Sequence, residues 1–292
     1  MVTFPIWQTI AKRSVSSAKR TSLGSVTGSS SRHAVDMESF YSCQKDGYDN
    51  FREGLLHARP ILMESMPLRL LERENDETKS SSSSSKGDNT SKSNENGKLV
   101  WIDIGGGTAR NLEFFPIDVI RNHFKKIVIV DISASLLQIA TRRVEEMGLG
   151  DIVEIVEHDA TAESVFDVLP ACGTVDIVTM SYSFSMIPAK ATILRNSLRL
   201  LKSETGLLGI ADFWAEGKYD DGLPTIAGLV RRLEGWLHCQ WFKHDRVFLL
   251  NSDMFAEIEE GVEIVWDDRF RGAIPFLPFF QPYHGVLFMK KL

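Results

Sequence analysis

The chain has 292 residues, 43% hydrophobic and 25% charged, enough to build a large core and too apolar for disorder throughout. Its net charge is −6, yet the first 35 residues hold Lys12, Arg13, Lys19, Arg20 and Arg32 and no acid, which leaves −11 on the remainder. An acidic body with a short basic tail excludes the broad basic groove that nucleic-acid binding uses, and the lack of any 18-residue apolar run excludes a spanning helix.

The first 40 residues are basic and Ser-rich, with Phe4, Ile6, Trp7 and Ile10 clustered ahead of Lys12 and Arg13. A disordered tail, an organelle transit peptide and a peripheral membrane anchor all fit this composition. The expected location is therefore cytoplasmic, peripheral on an internal membrane such as the endoplasmic reticulum, or inside an organelle. Residues 41–71 predict a helix, because Tyr48, Phe51, Leu55, Leu56, Ile61 and Leu62 recur mainly at three- and four-residue intervals. Residues 72–98, with six consecutive serines from Ser80 to Ser85, predict a solvated, disordered insertion.

From Leu99 onward, apolar β-branched runs at 99–104, 126–131, 152–156, 174–180 and 207–211 alternate with helical patterns, notably 133–147 and 188–202. Alternation of this kind predicts βαβ units and a parallel sheet covered on both faces. Residues 216–250, rich in Trp, Gly and basic side chains, read as a cap. Two further strands are predicted at 262–267 and 284–290, separated by the apolar run 273–280. Cys43, Cys172 and Cys239 are odd in number and far apart, so they make neither a disulfide framework nor a metal-ligand spacing.

The run Leu99-Val-Trp-Ile-Asp-Ile-Gly-Gly-Gly-Thr-Ala-Arg110 carries the chemistry. An apolar strand ends in Asp103 and passes into Gly105, Gly106 and Gly107, after which Thr108 is expected to open a helix. Glycines serve where a backbone turns sharply and a ligand approaches it closely. Asp131 ends the second strand, 28 residues after Asp103, where a carboxylate accepts from ribose hydroxyls. Asp159 follows the third strand, within reach of an adenine amino group. Ile132 and Ala160, beside these two acids, and Ser181, at the end of the fourth strand, complete the expected cofactor contacts.

The dinucleotide pattern G-x-G-x-x-G fails at Arg110, and no Tyr-x-x-x-Lys pair is present, since Tyr182 is followed by Met186. Acid-then-glycines instead resembles the first motif of class I S-adenosylmethionine-dependent methyltransferases, whose commonest form has Gly where Ala109 stands. That cofactor has no pyrophosphate. Its amino-acid end needs backbone groups and an acid such as Asp103 to meet its ammonium. The resemblance implies an α/β, Rossmann-like fold with a mostly parallel seven-stranded sheet and a C-terminal antiparallel hairpin.

Ligands of open α/β sheets bind outside the carboxyl ends of the strands. The fourth strand end, Met180-Ser-Tyr-Ser-Phe-Ser-Met-Ile-Pro188, lacks the Asn/Asp-Pro-Pro-Tyr/Phe motif of many enzymes that methylate planar nitrogens. Tyr182, Phe184, Phe213 and Trp214 offer aromatic faces, which stabilise a nearby cation by roughly 0.5–2 kcal/mol each. Transfer of a methyl group to an amine requires a free lone pair. Tyr182, Asp212 and His244 are the candidate catalytic polar groups.

Several further segments resemble one family. Tyr48-Asp-Asn-Phe-Arg-Glu-Gly-Leu-Leu-His-Ala-Arg59, Ser181–Pro188, Ala211–Phe213, Trp241-Phe-Lys-His-Asp245, Pro275–Pro278 and Pro282-Tyr283 are similar to the methyltransferase component of betaine lipid synthase. The likeness runs from about Tyr41 to the end, outside the 72–98 insertion. It implies three successive methylations of the amine of diacylglyceryl-homoserine, with S-adenosylmethionine as donor. It also implies a lid formed by Tyr48 and Arg52, contact of 274–280 with a bilayer, and a separate aminocarboxypropyl-transferase that supplies the lipid. Methylation of a soluble amine, or a non-catalytic cofactor-binding role in a lipid-synthesising complex, fit the same residues.

Overall fold

The computed structural model describes residues 35, 54–66, 97–215, 217, 233, 236–238, 247–273 and 281–292, without the side chains of 256–260. The basic tail, Tyr48, Arg52, almost all of the 72–98 insertion, most of the cap with His244, and the run 274–280 lie outside the described residues.

Seven strands form one sheet in the order β3-β2-β1-β4-β5-β7-β6. They are β1 (Leu99–Ile104), β2 (Phe124–Asp131), β3 (Val153–Glu157), β4 (Ile177–Ser181), β5 (Leu207–Trp214), β6 (Val262–Arg271) and β7 (Tyr283–Lys291). β1 to β5 are parallel, and β7 runs antiparallel to both β5 and β6. The expected mostly parallel sheet with a C-terminal antiparallel hairpin is what the chain builds. The chain progresses outward from β1 through β3, then restarts at β4 on the other side of β1. This reversal opens a crevice at the carboxyl ends of β1 and β4.

Helices α1 (residues 58–66), α2 (Ile117–His123), α3 (Ala134–Glu146) and α4 (Lys190–Leu200) flank the sheet. Alternation along the strands feeds two cores. Trp101, Ile127, Ile129 and Phe288 pack with Leu62 of α1 and Leu137 and Ala140 of α3. Val100, Ile102, Ile104, Val128 and Val130 pack with Ile193 and Leu194 of α4. Period-two geometry puts Asp103 on the Trp101 face and Asp131 on the Ile129 face, so both acids project to the α1/α3 side.

Among the boundaries that differ from the sequence reading, three lie at the sheet centre or the glycine loop. β4 starts at Ile177 rather than 174, because Thr174 still belongs to a turn, its N–H donating to Ala171 O; just ahead of the strand, Asp176 Oδ2 accepts from Val100 N–H and its Oδ1 from Lys202. β5 extends to Trp214, because β7 continues to pair with it through Phe213↔His284 and Trp214↔Tyr283. The helix expected at Thr108 is a short 3₁₀ turn, Arg110–Phe114, entered through Ala109 at φ 58. Pro116 then pushes Phe115 into the extended region and ends the turn.

Candidate active site

The glycine loop is pinned between two strands. Gly105 and Gly106 N–H both donate to Val130 O, at 2.7 and 3.3 Å. Gly105 sits at φ +66, and a Cβ on it would overlap the side chain of Ser183. Ser183 is itself held there by its hydroxyl, which donates to Ile104 O at 2.7 Å. A Cβ on Gly106 would stand 2.8 Å from Ile129 Cγ2 and 2.9 Å from Asp103 Oδ2. The loop thus depends on missing side chains where β1 and β4 part.

Asp103 is fully buried beneath this loop. Thr179 Oγ1 donates to its Oδ1 at 2.7 Å and Asn111 Nδ2 to its Oδ2 at 2.8 Å. Thr179 in turn accepts from Trp101 Nε1 at 2.7 Å. Burial pushes the Asp103 pKa up to about 6, against the two hydrogen bonds and the Arg59 charge, which pull it down. Each carboxylate oxygen has two acceptor directions, so neither is exhausted by one donor. Asn111 Oδ1 is buried and has no hydrogen-bond partner among the described residues. A buried acid with a raised pKa beside an unpaired buried acceptor fits a cationic donor such as an ammonium group.

Asp131 ties the second strand end to the loop. Its Oδ2 accepts from Gly107 N–H at 2.9 Å and its Oδ1 from Ser133 N–H at 2.9 Å. His158 N–H donates to the Asp131 carbonyl at 3.0 Å, which brings the third strand end alongside. Asp159 Oδ1 accepts from Thr161 N–H and its hydroxyl, at 2.9 and 2.7 Å. Ala160 is fixed through its carbonyl, which accepts from Asn196 Nδ2 at 3.0 Å. Ile132 lies half-buried beside Asp131 and packs with Leu136 and Met186. Asp103, the three glycines, Asp131, Ile132, Asp159 and Ala160 therefore lie along the carboxyl ends of β1, β2 and β3.

Arg59, on α1, was not singled out as a site residue from sequence. It is 8% exposed, and its Nε donates to Ser181 Oγ at 3.4 Å. Its positive charge also acts on Asp103. A buried guanidinium next to the acid that would hold an ammonium complements the two ends of an amino-acid zwitterion. The residues present therefore fit S-adenosylmethionine. Asp103 and Asn111 would take its ammonium, Arg59 its carboxylate, Asp131 its ribose and Asp159 its adenine.

The two described catalytic candidates hold the β4 and β5 ends together. Asp212 is fully buried. Its Oδ2 accepts from Ser185 N–H and its Oδ1 from Phe213 N–H, both at 2.8 Å. Burial raises its pKa, countered by these bonds and by the Lys190 charge. Lys190 is pushed down to about 8 by burial and donates to the carbonyls of Phe184 and Ile187. Tyr182 is 2% exposed at φ 55, with its ring edge-on to Phe213 at 4.8 Å. Its Oη accepts from Ala58 N–H at 2.9 Å and shares a 2.6 Å hydrogen bond with His284 Nδ1. Phe184 and Trp214 belong to the α4-side core, each stacked on Phe255 at 5.8 Å. Phe213 and Tyr182 lie on the opposite face.

The strand order and the acid-and-glycine site have the form found in class I S-adenosylmethionine-dependent methyltransferases. The model of the ubiE/COQ5 methyltransferase family matches residues 85–213, the stretch from the approach to β1 through most of β5. Among solved structures the chain is similar to the YcgJ protein of Bacillus subtilis, at 12% identity and a TM-score of 0.49 over 67% of this chain and 93% of that one. It is also similar to geranyl diphosphate C-methyltransferase of Streptomyces coelicolor, at 12% identity and a TM-score of 0.48 over 67% and 73%. Comparison with curated proteins returns no match.

Proposed function

We propose that this methyltransferase acts on the amine of diacylglyceryl-homoserine and carries it to the trimethylhomoserine betaine lipid. The observation that carries the substrate reading is the likeness of Ser181–Pro188 and Trp241–Asp245 to the betaine lipid synthase methyltransferase. Exposed apolar side chains support a lipid setting: Leu233, Trp236 and Leu237 are each more than half exposed in the cap segment. In this reading the enzyme works peripherally at a membrane, and a separate aminocarboxypropyl-transferase supplies its substrate.

When bound, S-adenosylmethionine supplies an electrophilic methyl group on a sulfonium. The chain orients the two reactants, and holding an amine in line with the methyl group offsets on the order of 7–11 kcal/mol. Asp103, Arg59 and Asp131 fix the donor end. Tyr182 and Asp212 hold the walls of the acceptor side, the first through Ala58 and the second through the Ser183–Met186 turn. The remaining sequence candidate for accepting a proton from the amine is His244.

The test combines purified protein, S-adenosylmethionine and vesicles containing diacylglyceryl-homoserine, with products resolved by mass spectrometry. Mono-, di- and trimethylated lipid is expected. Methylation of soluble homoserine derivatives without lipid dependence would replace the lipid reading by a soluble-amine one. Inactivity alone with activity beside a partner would make the chain a cofactor-binding subunit.

A further inference from the structure

His284 is 1% exposed and lies on β7 opposite Phe213 of β5. Its ring is enclosed by Phe213 at 4.9 Å, His57 at 5.1 Å and Phe270 stacked at 5.8 Å. Burial and the neighbouring His57 depress its pKa to about 3, so the ring stays neutral near neutral pH. Nε2 is buried without a hydrogen-bond partner among the described residues, and a Cβ on Gly272 would overlap it. A phenylalanine would fill this apolar enclosure without leaving a nitrogen unpaired, which is destabilising. Among the described residues, the one polar contact the imidazole makes is the 2.6 Å bond from Nδ1 to Tyr182 Oη.

That bond lies at the end of a chain leading to the cofactor site. Tyr182 Oη also accepts from Ala58 N–H, one of the amides at the start of α1 that have no partner within the helix. Arg59, the next residue, reaches Ser181, the residue before Tyr182. The pair Ser181-Tyr182 thus grips the pair Ala58-Arg59 across more than 120 residues of chain. Tyr182 adopts φ 55 to do so, a backbone conformation that bulky residues rarely take.

We infer that His284 is a positioning residue for cofactor binding: it orients the Tyr182 hydroxyl, which fixes the start of α1 and sets the Arg59 guanidinium against the amino-acid end of S-adenosylmethionine. This rests on the reading of Arg59 as the carboxylate partner and is independent of the acceptor substrate. Calorimetry with the full chain tests it, with no lipid present. The two probes are S-adenosylmethionine and 5′-methylthioadenosine, which keeps the nucleoside and lacks the amino-acid end.

His284→Phe is expected to weaken S-adenosylmethionine about tenfold, the scale of one charge-assisted hydrogen bond, and methylthioadenosine less than about twofold. Tyr182→Phe, which keeps the ring, gives the same selective loss if His284→Phe fails to fold. His284→Asn, which can keep an acceptor near the Nδ1 position, recovers most of the affinity. Equal weakening of both probes, or of neither, overturns the proposal. Arg59→Ala separates the two layers. If it weakens S-adenosylmethionine selectively while Tyr182→Phe and His284→Phe do not, only the positioning role falls. If it has no effect, the carboxylate reading falls with it.

Discussion

Asp103 sits in a place that disfavours its own charge, and that gives cofactor binding a pH signature. Its pKa is raised to about 6 by burial, above the ordinary value of 3.8. Only the ionised form attracts an ammonium group, and binding that cation pulls the proton off. Affinity for S-adenosylmethionine should therefore rise with pH through about 6 and level off above it. Calorimetry between pH 5 and 7.5 measures this. Asp103→Asn should bind weakly and lose the dependence; a wild-type affinity flat across this range would remove Asp103 from the ammonium site. The placement of Asp103 and Asp131 at strand ends was legible in sequence, because each closes an apolar run beside a turn. Arg59, Thr179 and His284 were not. They meet Asp103 or Tyr182 only through the packing of α1, β4 and β7, and no local spacing records such an approach. Asn111, eight residues after Asp103, was within reach of a closer reading of the motif.

The elements were legible wherever burial on both faces left a continuous apolar run. All five parallel strands lie within three residues of their expected starts, because Val, Ile and Leu fill the central ones on both faces, while the edge strand β3 alternates apolar residues with Glu154 and Glu157. The turn after the glycine loop was harder. Ala109 adopts a left-handed φ of 58 where the commonest motif has glycine, and Pro116 cuts the helix short. The loop also shows what the glycines are for. Gly105→Ala would add strain at positive φ to an overlap with Ser183 and should cost about 2–4 kcal/mol in urea unfolding. A cost under about 1 kcal/mol would mean that Ser183 gives way easily. Helix α1 occupies part of the helix expected over 41–71. Leu62, fully buried, reaches the space that a Gly209 side chain would take, so the missing Cβ on β5 seats the helix. Leu62→Ala should destabilise this docking by about 2–5 kcal/mol, less what local collapse recovers. Hydrogen exchange should then quicken across 58–66 ahead of the sheet, with cofactor affinity falling in step. Exchange quickening equally in α3 would show global loosening instead.

Taken whole, the molecule divides its charge unevenly, and the membrane setting proposed above turns that division into the last prediction. The residues after the first 35 carry −11 and include the acids that would surround a cationic cofactor and amine. Such a body is repelled by an anionic lipid surface. The first 35 residues carry five cations and no acid, together with Phe4, Ile6, Trp7 and Ile10. Near an anionic bilayer each Lys or Arg contributes about 1 kcal/mol, and apolar side chains add to that by entering the interface. The tail can therefore offset the repulsion of the body while leaving the site acidic. Deleting residues 1–35 should reduce binding to phosphatidylserine vesicles in a sedimentation assay by at least about 100-fold, two decades being under 3 kcal/mol. Cofactor affinity should stay unchanged, because no residue assigned to the site lies before Tyr48. Raising the salt should mimic part of the deletion in the full chain, since screening shortens the reach of the tail cations. Undiminished vesicle binding by the truncated protein would assign recruitment to the exposed Leu233, Trp236 and Leu237 of the cap instead.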